Sequence, residues 1–506
     1  MQNKLINQSN LSRIKNRIKK KKIVLCHGVF DLLHTGHLDY FESAKKLGDI
    51  LIISITSDKF VNKGPGRPYF EEKKRIKMIQ ALEVVDYVYL NNNLTAENVI
   101  EKFKPSFYVK GPDYKENKED ITKNIYKEIT LVKKFKGKIV YTSDEVSSSS
   151  NLLNNFFTVF NKEQQEYKKR ITNKYSFLQI KEKIDKFSNN RIITIGETIV
   201  DDYIFSESIG KSGKEPHLVI KDLYNEKYLG GVIAIAKHLE GFSYPVNVIT
   251  LLGEKPSLYN FIKNKIGKKI NFNFITKKNS PTIIKKRIVD KLTNQKLLGI
   301  YSINDRDLYH SENEKLNKIL FNKKFDKNDL VILSDYGHGF INSKIVKKIC
   351  KKYNHIYLNA QLNASNIGYH SFKNYNNFNT LIVNESELRH EYKDKKSDIK
   401  ILMKKYSALT NLKGIVVTRG ANGAIYYDKR KKSFINTPAF SNKIIDKVGA
   451  GDAFLAIFSI CDYNKFDPEL SMFFASLAAA SSVESMGNSK YVNKEFLLKS
   501  IQYFLK

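Results

Sequence analysis

The chain has 506 residues, of which 42% are hydrophobic and 27% charged, a balance typical of globular proteins that excludes a largely disordered chain. Its length favours two or more domains, each with its own core. The formal net charge is +34, but the lysines are spread along the chain beside many asparagines and form no basic run interleaved with aromatic residues, so we expect no nucleic-acid partner.

Cysteine content and hydropathy narrow the class of protein further. Cys26, Cys350 and Cys461 are far apart and belong to no CxxC motif or Cys/His cluster, so neither a disulfide framework nor a zinc site is indicated. No apolar stretch reaches the roughly 18 residues that a membrane-spanning helix needs. The N-terminus has no apolar signal core. We therefore expect a cytoplasmic protein without membrane insertion.

The first predicted module alternates strands and helices. Residues 1–22 are basic and weakly amphipathic, and we expect a solvated N-terminal extension or a short helix there. Strands are predicted at 23–26, 50–55, 85–90, 106–109 and 138–141, and helices at 37–47, 70–82, 95–103, 119–134 and 148–160. This alternation predicts parallel β-α-β units with right-handed crossovers. The module spans 23–160, and a charged linker is expected at 161–190.

Two histidines stand where the first strand of this module gives way to a helix. His34 and His37 belong to the string Gly28-Val29-Phe30-Asp31-Leu32-Leu33-His34-Thr35-Gly36-His37. Ligands of a doubly wound sheet bind at such strand ends, and the free N–H groups of a helix N-terminus suit phosphate. The two imidazoles can donate to phosphate oxygens as charge builds in a transition state. Asp31 is expected to orient the loop.

A second α/β module begins at Arg191 with another strand that ends in glycine, and it runs to residue 506. Its strongest motif is Asp446-Lys447-Val448-Gly449-Ala450-Gly451-Asp452, which precedes an apolar helix. Gly449 and Gly451 expose consecutive backbone N–H groups, and such a nest can hold the charge of a transferring phosphoryl group. Asp452 is then placed to take the proton from an attacking hydroxyl.

The first module resembles the cytidylyltransferase-like nucleotidyltransferases, and within them the transferase half of the bifunctional ADP-heptose synthases. After the histidine string, the matching segments follow in order without a large gap: Lys63-Gly64, Arg67-Pro68, Arg75, Val84 to Val88, Lys110 to Tyr114 and Ser148 to Asn151. The resemblance implies a Rossmann-like domain in which a phosphate oxygen attacks the α-phosphorus of a nucleoside triphosphate and pyrophosphate leaves.

The same resemblance assigns residues to the transferase site. The expected catalytic residues are His34, His37 and Lys63. Nucleotide or phosphate contacts are expected from Phe30, Arg67, Arg75, Lys110, Asp113, Ser148, Ser149 and Ser150. Arg75 lies about two helical turns beyond Arg67, and it either points into the same pocket or is a surface arginine.

The second module resembles the ribokinase-like sugar kinases across nearly its whole length. The features that carry this resemblance stand in the family's order: Gly196 to Asp202, Gly230-Gly231, Ser334-Asp335-Tyr336, Asn384 to Glu387, Val416 to Gly423 and the motif ending in Asp452. It implies a catalytic base at Asp452 and an anion hole at Gly449, Ala450 and Gly451. It further implies nucleotide contacts from Thr418 and Gly420, indirect Mg²⁺ binding by Asn384 and Glu387, and sugar contacts from Asp201, Gly230 and Gly231.

Three positions depart from the kinase pattern and bear on sugar recognition. Ala234 falls in a run where the family has an asparagine, Asn359 stands where an aspartate is common, and Lys447 stands where threonine is common. These changes leave the phosphoryl-transfer residues intact. They favour a kinase of unusual substrate preference, and they leave open a kinase-like module without catalytic activity.

Together these observations predict an α/β protein with two doubly wound domains, a Rossmann-like nucleotidyltransferase followed by a ribokinase-like sandwich, in the reverse of the usual synthase order. The expected function is bifunctional sugar activation: phosphorylation of a heptose-like sugar or sugar phosphate, and nucleotidyl transfer to a sugar-1-phosphate. The expected cofactors are Mg²⁺, ATP for the kinase and ATP or CTP for the transferase, and the chain is expected to form a homo-oligomer. The alternative is a cytidylyltransferase for a polyol or headgroup phosphate, with a kinase-like domain that only binds ligand.

Overall fold

The computed structural model describes residues 4–111, 124–142, 160–189, 191–242, 245–255, 257–373, 375–441 and 443–505. The chain divides into two compact units, Met1–Lys168 with Leu498–Lys506, and Lys169–Leu497. The predicted helix at 148–160, except its last residue, and the first residues of the predicted helix at 119–134 lie outside the described residues. No helix in the described ranges is long and apolar enough to cross a membrane.

The first unit is built on a parallel sheet, as the alternation of strands and helices predicts. Its strands are β1 Leu5–Ile6, β2 Ile23–Gly28, β3 Ile50–Thr56, β4 Tyr87–Asn91, β5 Phe107–Lys110 and β6 Lys138–Tyr141. Its helices are Leu11–Ile18, Thr35–Lys45, Glu72–Gln80, Glu97–Phe103 and Asn124–Lys134. The spatial order of the strands is β1-β4-β3-β2-β5-β6. From β2 the chain adds β3 and β4 on one side and then β5 and β6 on the other, so the switch point lies between β2 and β5. Ligands of open α/β sheets bind at such a switch point, so the carboxyl end of β2 is the expected site.

Of the two expectations for residues 1–22, the structure contains the short helix, at Leu11–Ile18, and the described part of the segment is not a solvated tail. Leu5 of β1 is the register partner of Val88 in β4, so the sheet begins with this segment. Ile14 and Ile18 of the helix Leu11–Ile18 are buried, while the basic residues between them face solvent. Apolar residues four apart lie on one helix face, and this spacing carries the packing despite the high charge of the segment. The extension is therefore the first β-α unit of the domain.

The predicted linker at 161–190 is helical, and the boundary between the units falls inside it. It forms the helices Lys162–Lys174 and Phe177–Asp185, followed by a 3₁₀ turn. Glu469 accepts a hydrogen bond from Arg170 at 2.6 Å, and Lys174 lies 3.2 Å from the same carboxylate. The second half of the first of these helices is thus held by ion pairs inside the second unit.

The second unit contains a large mixed sheet and a smaller one in the described residues. The large sheet has the order β11-β10-β7-β14-β15-β16-β17-β18-β19, parallel except for the last two pairings, and the small one has the order β13-β12-β8-β9. The strands are β7 Ile192–Gly196, β8 Thr198–Lys211, β9 Leu218–Gly231, β10 Val246–Gly253, β11 Ile270–Lys277, β12 Ile283–Asp290, β13 Lys296–Ser302, β14 Leu330–Asp335, β15 His355–Ala360, β16 Thr380–Asn384, β17 Gly414–Thr418, β18 Ala424–Asp428 and β19 Ser433–Thr437.

Helices cover the large sheet of the second unit. They are Val232–Glu240, Ser257–Lys265, His310–Leu320, Ser343–Lys352, Glu385–Tyr392, Ile399–Leu409, Ala450–Tyr463 and Pro468–Val483. The central strands β7 and β14 are buried along their whole length. A parallel strand that is covered on both faces has a nearly continuous run of apolar residues, and both segments have such a run in the sequence. Tyr336 directly follows β14 at its carboxyl end.

Candidate functional site

The turn after β2 brings the two predicted histidines together in the first unit. His34 is the N-cap of the helix Thr35–Lys45, and its ring lies 4.0 Å from the ring of His37, centroid to centroid. Phe30 has a φ of 50° and packs edge-on against His37 at 5.5 Å. Gly28 leaves room for this ring, because an added Cβ would lie 3.0 Å from it. The histidines therefore stand at the switch point of the sheet, at a helix N-terminus.

Burial disfavours the protonated form of both imidazoles. It lowers the pKa of His34, and it lowers the pKa of His37 to about 3 with help from the charges of His34 and Lys63. The effect on His37 puts the Lys63 ammonium in the same site. A neutral imidazole still offers one N–H donor, and the nearby ammonium offers a positive charge to a polyphosphate.

Asp31 holds the loop that carries Arg67. Its carboxylate accepts hydrogen bonds from Arg67 Nη1 at 3.0 Å and from the backbone N–H groups of Tyr69 and Phe70, each at 2.9 Å. The Arg67 side chain is only 1% exposed. Its Nε and Nη2 atoms are buried and have no hydrogen-bond partner among the described residues. The Nε and Nη2 donors of Arg67 are therefore unused within the described residues, and its contact with a phosphate stays a prediction.

The structure separates Arg75 from the predicted phosphate contacts. Arg75 is fully buried, and its guanidinium donates to the carbonyl oxygens of Phe70, Val29 and Thr56 and to the carboxylate of Asp58. A guanidinium whose nitrogens all donate to the protein has little left for a ligand. Neither reading of Arg75, pocket residue or surface arginine, is correct, and the residue ties the end of β3 to the following loop.

The remaining predicted transferase residues have different outcomes. Lys110 ends β5, and its ammonium lies 3.2 Å from the buried carboxylate of Glu128, to which Tyr108 also donates. A buried cation with such a partner holds the sheet together, and a phosphate role for Lys110 stays a prediction. Asp113, Ser148, Ser149 and Ser150 lie outside the described residues.

In the second unit, the predicted anion hole is the first turn of the helix Ala450–Tyr463. Gly449 caps this helix with a φ of +86°, and an added Cβ would lie 2.0 Å from Asn488 Oδ1, so only glycine fits. The first intrahelical bond runs from the Ala453 N–H to the Gly449 carbonyl, which leaves the preceding N–H groups to an anion. Apart from its own helix, no atom of the described residues lies within 4 Å of a Cβ built on Gly451, so this side of the turn is open there.

The predicted base, Asp452, stands beside this turn in an environment suited to proton transfer. Burial raises its pKa to about 7, the charge of Asp201 adds to this rise, and the Tyr336 hydroxyl and the charge of Lys285 oppose it. Tyr336 donates to Asp452 at 2.9 Å, and its own backbone N–H donates to buried Glu197 at 3.1 Å. A carboxyl group whose pKa is near 7 can both accept and release a proton at neutral pH. The sequence singled out Tyr336 by family resemblance but missed this contact.

The small sheet brings basic residues to Asp201 that sequence reasoning missed. Lys285 and Arg287 of β12 alternate with Lys286 and are the register partners of Asp201 and Tyr203 in β8. Arg287 pairs with Asp201, and Lys285 is 6% exposed and forms no salt bridge within the described part of the chain. The sequence signal that could have identified them is the Lys-x-Arg spacing in β12, because residues two apart lie on the same face of a strand.

Asp446 links the small sheet to the anion-hole loop. Its buried carboxylate accepts from the Tyr203 hydroxyl at 2.5 Å, pairs with the Lys296 ammonium, and accepts from the backbone N–H of Val448 at 3.1 Å and of Gly487 at 3.0 Å. Four donors on one carboxylate hold β8, β13 and both loops in one arrangement. Asp446 therefore belongs to the architecture of the site, although its role was not predicted.

The predicted sugar and nucleotide positions fall at the ends of neighbouring strands. An added Cβ on Gly230 would lie 2.4 Å from Asp201 Oδ2, so this glycine lets the carboxylate lie against the backbone, and Gly231 has a φ of +61°. Asn384 and Thr418 are register partners at the ends of β16 and β17, and Gly420 follows with a φ of +57°. Gly230 and Gly231 thus end β9 opposite the first residues of β8, and Asn384 and Thr418 end neighbouring strands of the large sheet.

Asn384 and Glu387 bond to each other as a capping box. Asn384 N–H donates to Glu387 at 2.7 Å, and Glu387 N–H donates to Asn384 Oδ1 at 2.8 Å. Burial raises the pKa of Glu387 to about 7, and the Leu362 N–H also donates to its carboxylate. A carboxylate held by backbone donors fits Mg²⁺ that is bound through water and phosphate rather than directly. The indirect magnesium role stays a prediction.

The three departures from the kinase pattern are placed differently. Ala234 is buried in the helix after Gly231, and Lys447 is exposed beside the anion-hole loop. The Asn359 amide donates to the Ile382 carbonyl at 2.8 Å and thereby ties β15 to β16. None of the three displaces Asp452 or the glycines of its motif.

Comparisons with known proteins agree with this division of the chain. The pfkB family of carbohydrate kinases matches residues 189–494, and the cytidylyltransferase-like family matches residues 25–156. The bifunctional protein HldE of Campylobacter concisus is 39% identical over 139 residues, which is 27% of this chain and 29% of that protein. That of Helicobacter pylori strain P12 is 42% identical over 124 residues, which is 24% of this chain and 27% of that protein.

These alignments span less than a third of the length of either relative, and they fall in the N-terminal region. Among solved structures, phosphofructokinase-2 from Escherichia coli in complex with potassium superimposes with a TM-score of 0.50 at 12% identity. This match covers 62% of this chain and 99% of that one. At so low an identity it bears on the fold alone, and it agrees with the predicted ribokinase-like architecture.

Proposed function

The chain belongs to the pfkB family of carbohydrate kinases, and on that premise we propose that it is a bifunctional sugar-activating enzyme. The second unit transfers the γ-phosphate of ATP to a hydroxyl of a sugar phosphate. The first unit transfers a nucleotidyl group from ATP or CTP to a sugar-1-phosphate and releases pyrophosphate. The observation that supports this most directly is the Asp452 carboxylate, whose pKa of about 7 suits a base, beside the open N–H groups of its helix.

The kinase reaction needs a base, an anion hole and a positioned hydroxyl. Asp452 removes the proton of the sugar hydroxyl as it attacks the γ-phosphorus of ATP, and ADP leaves. The N–H groups of the turn at Gly449 to Gly451 hold the charge on the transferring group, helped by the positive end of the helix dipole. Mg²⁺ bound to the ATP phosphates supplies further charge neutralisation, and Asn384 and Glu387 would hold it through water.

Basic side chains in the sugar site favour a substrate that carries a phosphate. Arg287 is neutralised by Asp201, and Lys296 by Asp446, but Lys285 has no carboxylate partner within the described residues. Burial lowers the pKa of Lys285, while the charge of Asp201 opposes that effect. Lys285 interacts electrostatically with Asp201 and Asp452 but forms no salt bridge within the described residues, so a ligand phosphate would give its buried ammonium a hydrogen-bonded anion. We therefore favour a sugar phosphate over a neutral sugar as the acceptor.

The transferase reaction needs donors fixed around a triphosphate and no protein nucleophile, because the acceptor phosphate is already ionised. His34 and His37 donate to the phosphates at the N-terminus of the helix Thr35–Lys45. Lys63 and Arg67 approach from the loop between β3 and the helix Glu72–Gln80. As the charge of the leaving pyrophosphate builds, these preset donors stabilise it without reorganisation. The choice between ATP and CTP depends on base contacts and is decided by experiment.

Two half-reactions measured on one preparation test the proposal. The intact protein is assayed for ADP formation with a panel of sugars and sugar phosphates, and for pyrophosphate release from ATP, CTP, GTP and UTP with sugar-1-phosphates. Asp452→Asn should abolish ADP formation and leave pyrophosphate release intact, and His37→Ala should do the reverse. Absence of pyrophosphate release from every nucleotide would refute the transferase. Absence of sugar-dependent ADP formation in the wild type would refute the kinase and favour a module that only binds ligand, whereas unchanged ADP formation in Asp452→Asn would refute Asp452 as the base.

We also propose that the chain forms a homo-oligomer through the outer face of the small sheet. Ile288 of β12 lies between Ile204 of β8 and Leu298 of β13 in register, and Leu298 and Ile300 are 57% and 48% exposed. A row of apolar side chains across three strands is unusual on a solvated face. Light scattering should give a multimer for the wild type and a smaller species for Leu298→Lys. A wild type that runs as a monomer would overturn this.

A further inference from the structure

The last residues of the chain belong to the unit that carries the histidines. The pfkB match ends at residue 494, where the helix Lys494–Leu505 begins, and Leu498–Lys506 is part of the first unit. Ser500, Ile501, Tyr503 and Phe504 of this helix are all buried. A terminal helix with this many buried residues is a fixed element of the domain and not a frayed end.

This helix packs against the loop that carries Arg67. The Arg67 guanidinium carbon lies 4.6 Å from the centroid of the Tyr503 ring. One turn earlier, Ser500 abuts Gly64, since a Cβ built on that glycine would lie 3.3 Å from the Ser500 Cα and Oγ. Phe504 packs edge-on against Phe160 at 5.4 Å. The helix therefore forms one wall of the predicted phosphate loop, although it lies at the other end of the sequence.

The position of the Arg67 guanidinium over the Tyr503 ring leaves two of its nitrogens available to a ligand. An aromatic ring attracts a guanidinium through its face, while the N–H bonds of the guanidinium point outward in its plane. Asp31 takes one of these donors at 3.0 Å, and Nε and Nη2 remain buried without a hydrogen-bond partner in the described residues. Buried donors left in this state are unfavourable, and a phosphate is the bidentate acceptor that matches them.

We propose that the C-terminal helix is a working part of the nucleotidyltransferase, in which Tyr503 is a positioning residue that orients Arg67 toward a phosphate of the nucleoside triphosphate. The inference rests on the proposed transferase activity and deepens it. Tyr503 touches no reacting atom. It fixes the plane of the guanidinium from one side while Asp31 fixes its edge, so that the free edge presents Nε and Nη2 to the ligand.

The test is a kinetic comparison of Tyr503→Leu, Tyr503→Phe and a matched control, Gln502→Leu, on the next residue of the same helix. Tyr503→Leu should raise the KM for the nucleoside triphosphate about tenfold, as expected for a lost cation–π contact, with a smaller change in kcat. Tyr503→Phe keeps the ring and should restore the wild-type KM. ADP formation by the kinase, measured on the same samples, should stay unchanged in all three. A wild-type KM in Tyr503→Leu, or a Tyr503→Phe as poor as Tyr503→Leu, would overturn the inference.

A second measurement keeps this inference separate from the proposed function. If the wild type releases no pyrophosphate, the proposed function fails, and the Arg67–Tyr503 contact is tested by melting temperatures of Arg67→Met, Tyr503→Leu and the double variant. Shifts that are smaller in the double variant than the sum of the single ones support the contact. Additive shifts refute it, whatever the activity of the enzyme.

Discussion

The hydroxyl of Tyr336 donates a hydrogen bond to a carboxylate oxygen of Asp452 at 2.9 Å, joining residues that are 116 positions apart. Tyr336 follows β14, and Asp452 lies in the first turn of the helix Ala450–Tyr463. Burial alone favours the protonated acid, and the hydroxyl favours the ionised base. The pKa of about 7 is the balance of these effects. The proposed base is therefore tuned by a residue outside its own motif.

Removing this hydroxyl should shift the pH dependence of the kinase. In Tyr336→Phe the pKa of Asp452 rises above about 7, so less of the base is ionised at neutral pH. We expect kcat/KM at pH 7 to fall about tenfold and to recover as the pH rises, since one hydrogen bond to a charged group is lost. The measurement is the acid limb of kcat/KM against pH. Tyr463→Phe, remote from the site, should leave that limb in place, and a pH-independent loss in Tyr336→Phe would contradict the assignment.

Asp452 should also make the second unit less stable as the pH rises. Its folded pKa of about 7 lies above the unfolded value of about 3.9, so the folded state holds the proton more tightly. The stability that this group contributes is complete below pH 4 and is lost as the pH rises through 7. Asp452→Asn removes the ionisation, so its melting temperature should match the wild type near pH 4.5 and exceed it at pH 8. A variant less stable than the wild type at pH 8 would contradict this account.

The charges on β12 should discriminate between acceptors. Lys285→Met should raise the KM for a sugar phosphate at least about tenfold, because it removes a hydrogen-bond donor to the phosphate, and Arg287→Met should have a smaller effect, because Arg287 already pairs with Asp201. The KM for ATP should change little. Lys286→Met is the matched control, since alternation along the strand turns its side chain to the opposite face. Equal losses with a neutral sugar and its phosphate would show that these residues do not read the phosphate.

Arg75→Met should weaken the first unit and leave its affinity for nucleotide intact. The substitution leaves three carbonyl oxygens and the Asp58 carboxylate without their donor, so we expect a loss of about 3 kcal/mol in the free energy of unfolding. Urea unfolding followed by circular dichroism measures it, with exposed Arg13→Met as the control. A stable variant whose KM for the nucleoside triphosphate rises tenfold would restore Arg75 to the phosphate site.

Arg75 and Lys110 illustrate why the protein partners of predicted site residues escaped prediction. Both residue types bind phosphate, and both stand near the predicted pocket, so the sequence favoured a ligand role. In the structure Arg75 donates to the Thr56 carbonyl at the end of β3 and to the Val29 carbonyl directly after β2. Lys110 pairs with Glu128 from the helix Asn124–Lys134. A buried cation takes the nearest acceptor, and which acceptor is nearest depends on how elements pack.

The N-terminal segment shows the same limit from the opposite direction. Its high charge favoured a solvated tail, yet Ile14 and Ile18 bury one face of a helix and Leu5 joins the sheet. Two apolar residues in a basic run carry little weight in composition. In the structure they pack in one apolar cluster with Ile23, Leu25 and Ile52, while β1 pairs with β4, and these partners cannot be recognised from the segment alone.

The sequence by itself determined two local features. One is the strand-to-helix turn that carries His34 and His37, and the other is the helix start at Gly449-Ala450-Gly451-Asp452. Short segments suffice there, because glycines and helix starts fix the backbone within a few residues and the alternation of strands sets which ends meet. The tertiary structure alone decided what surrounds these turns: Tyr336 on Asp452, Lys285 and Arg287 beside Asp201, and Tyr503 on Arg67. Those contacts join residues far apart in the chain, and only packing selects one partner for a side chain that could have had many.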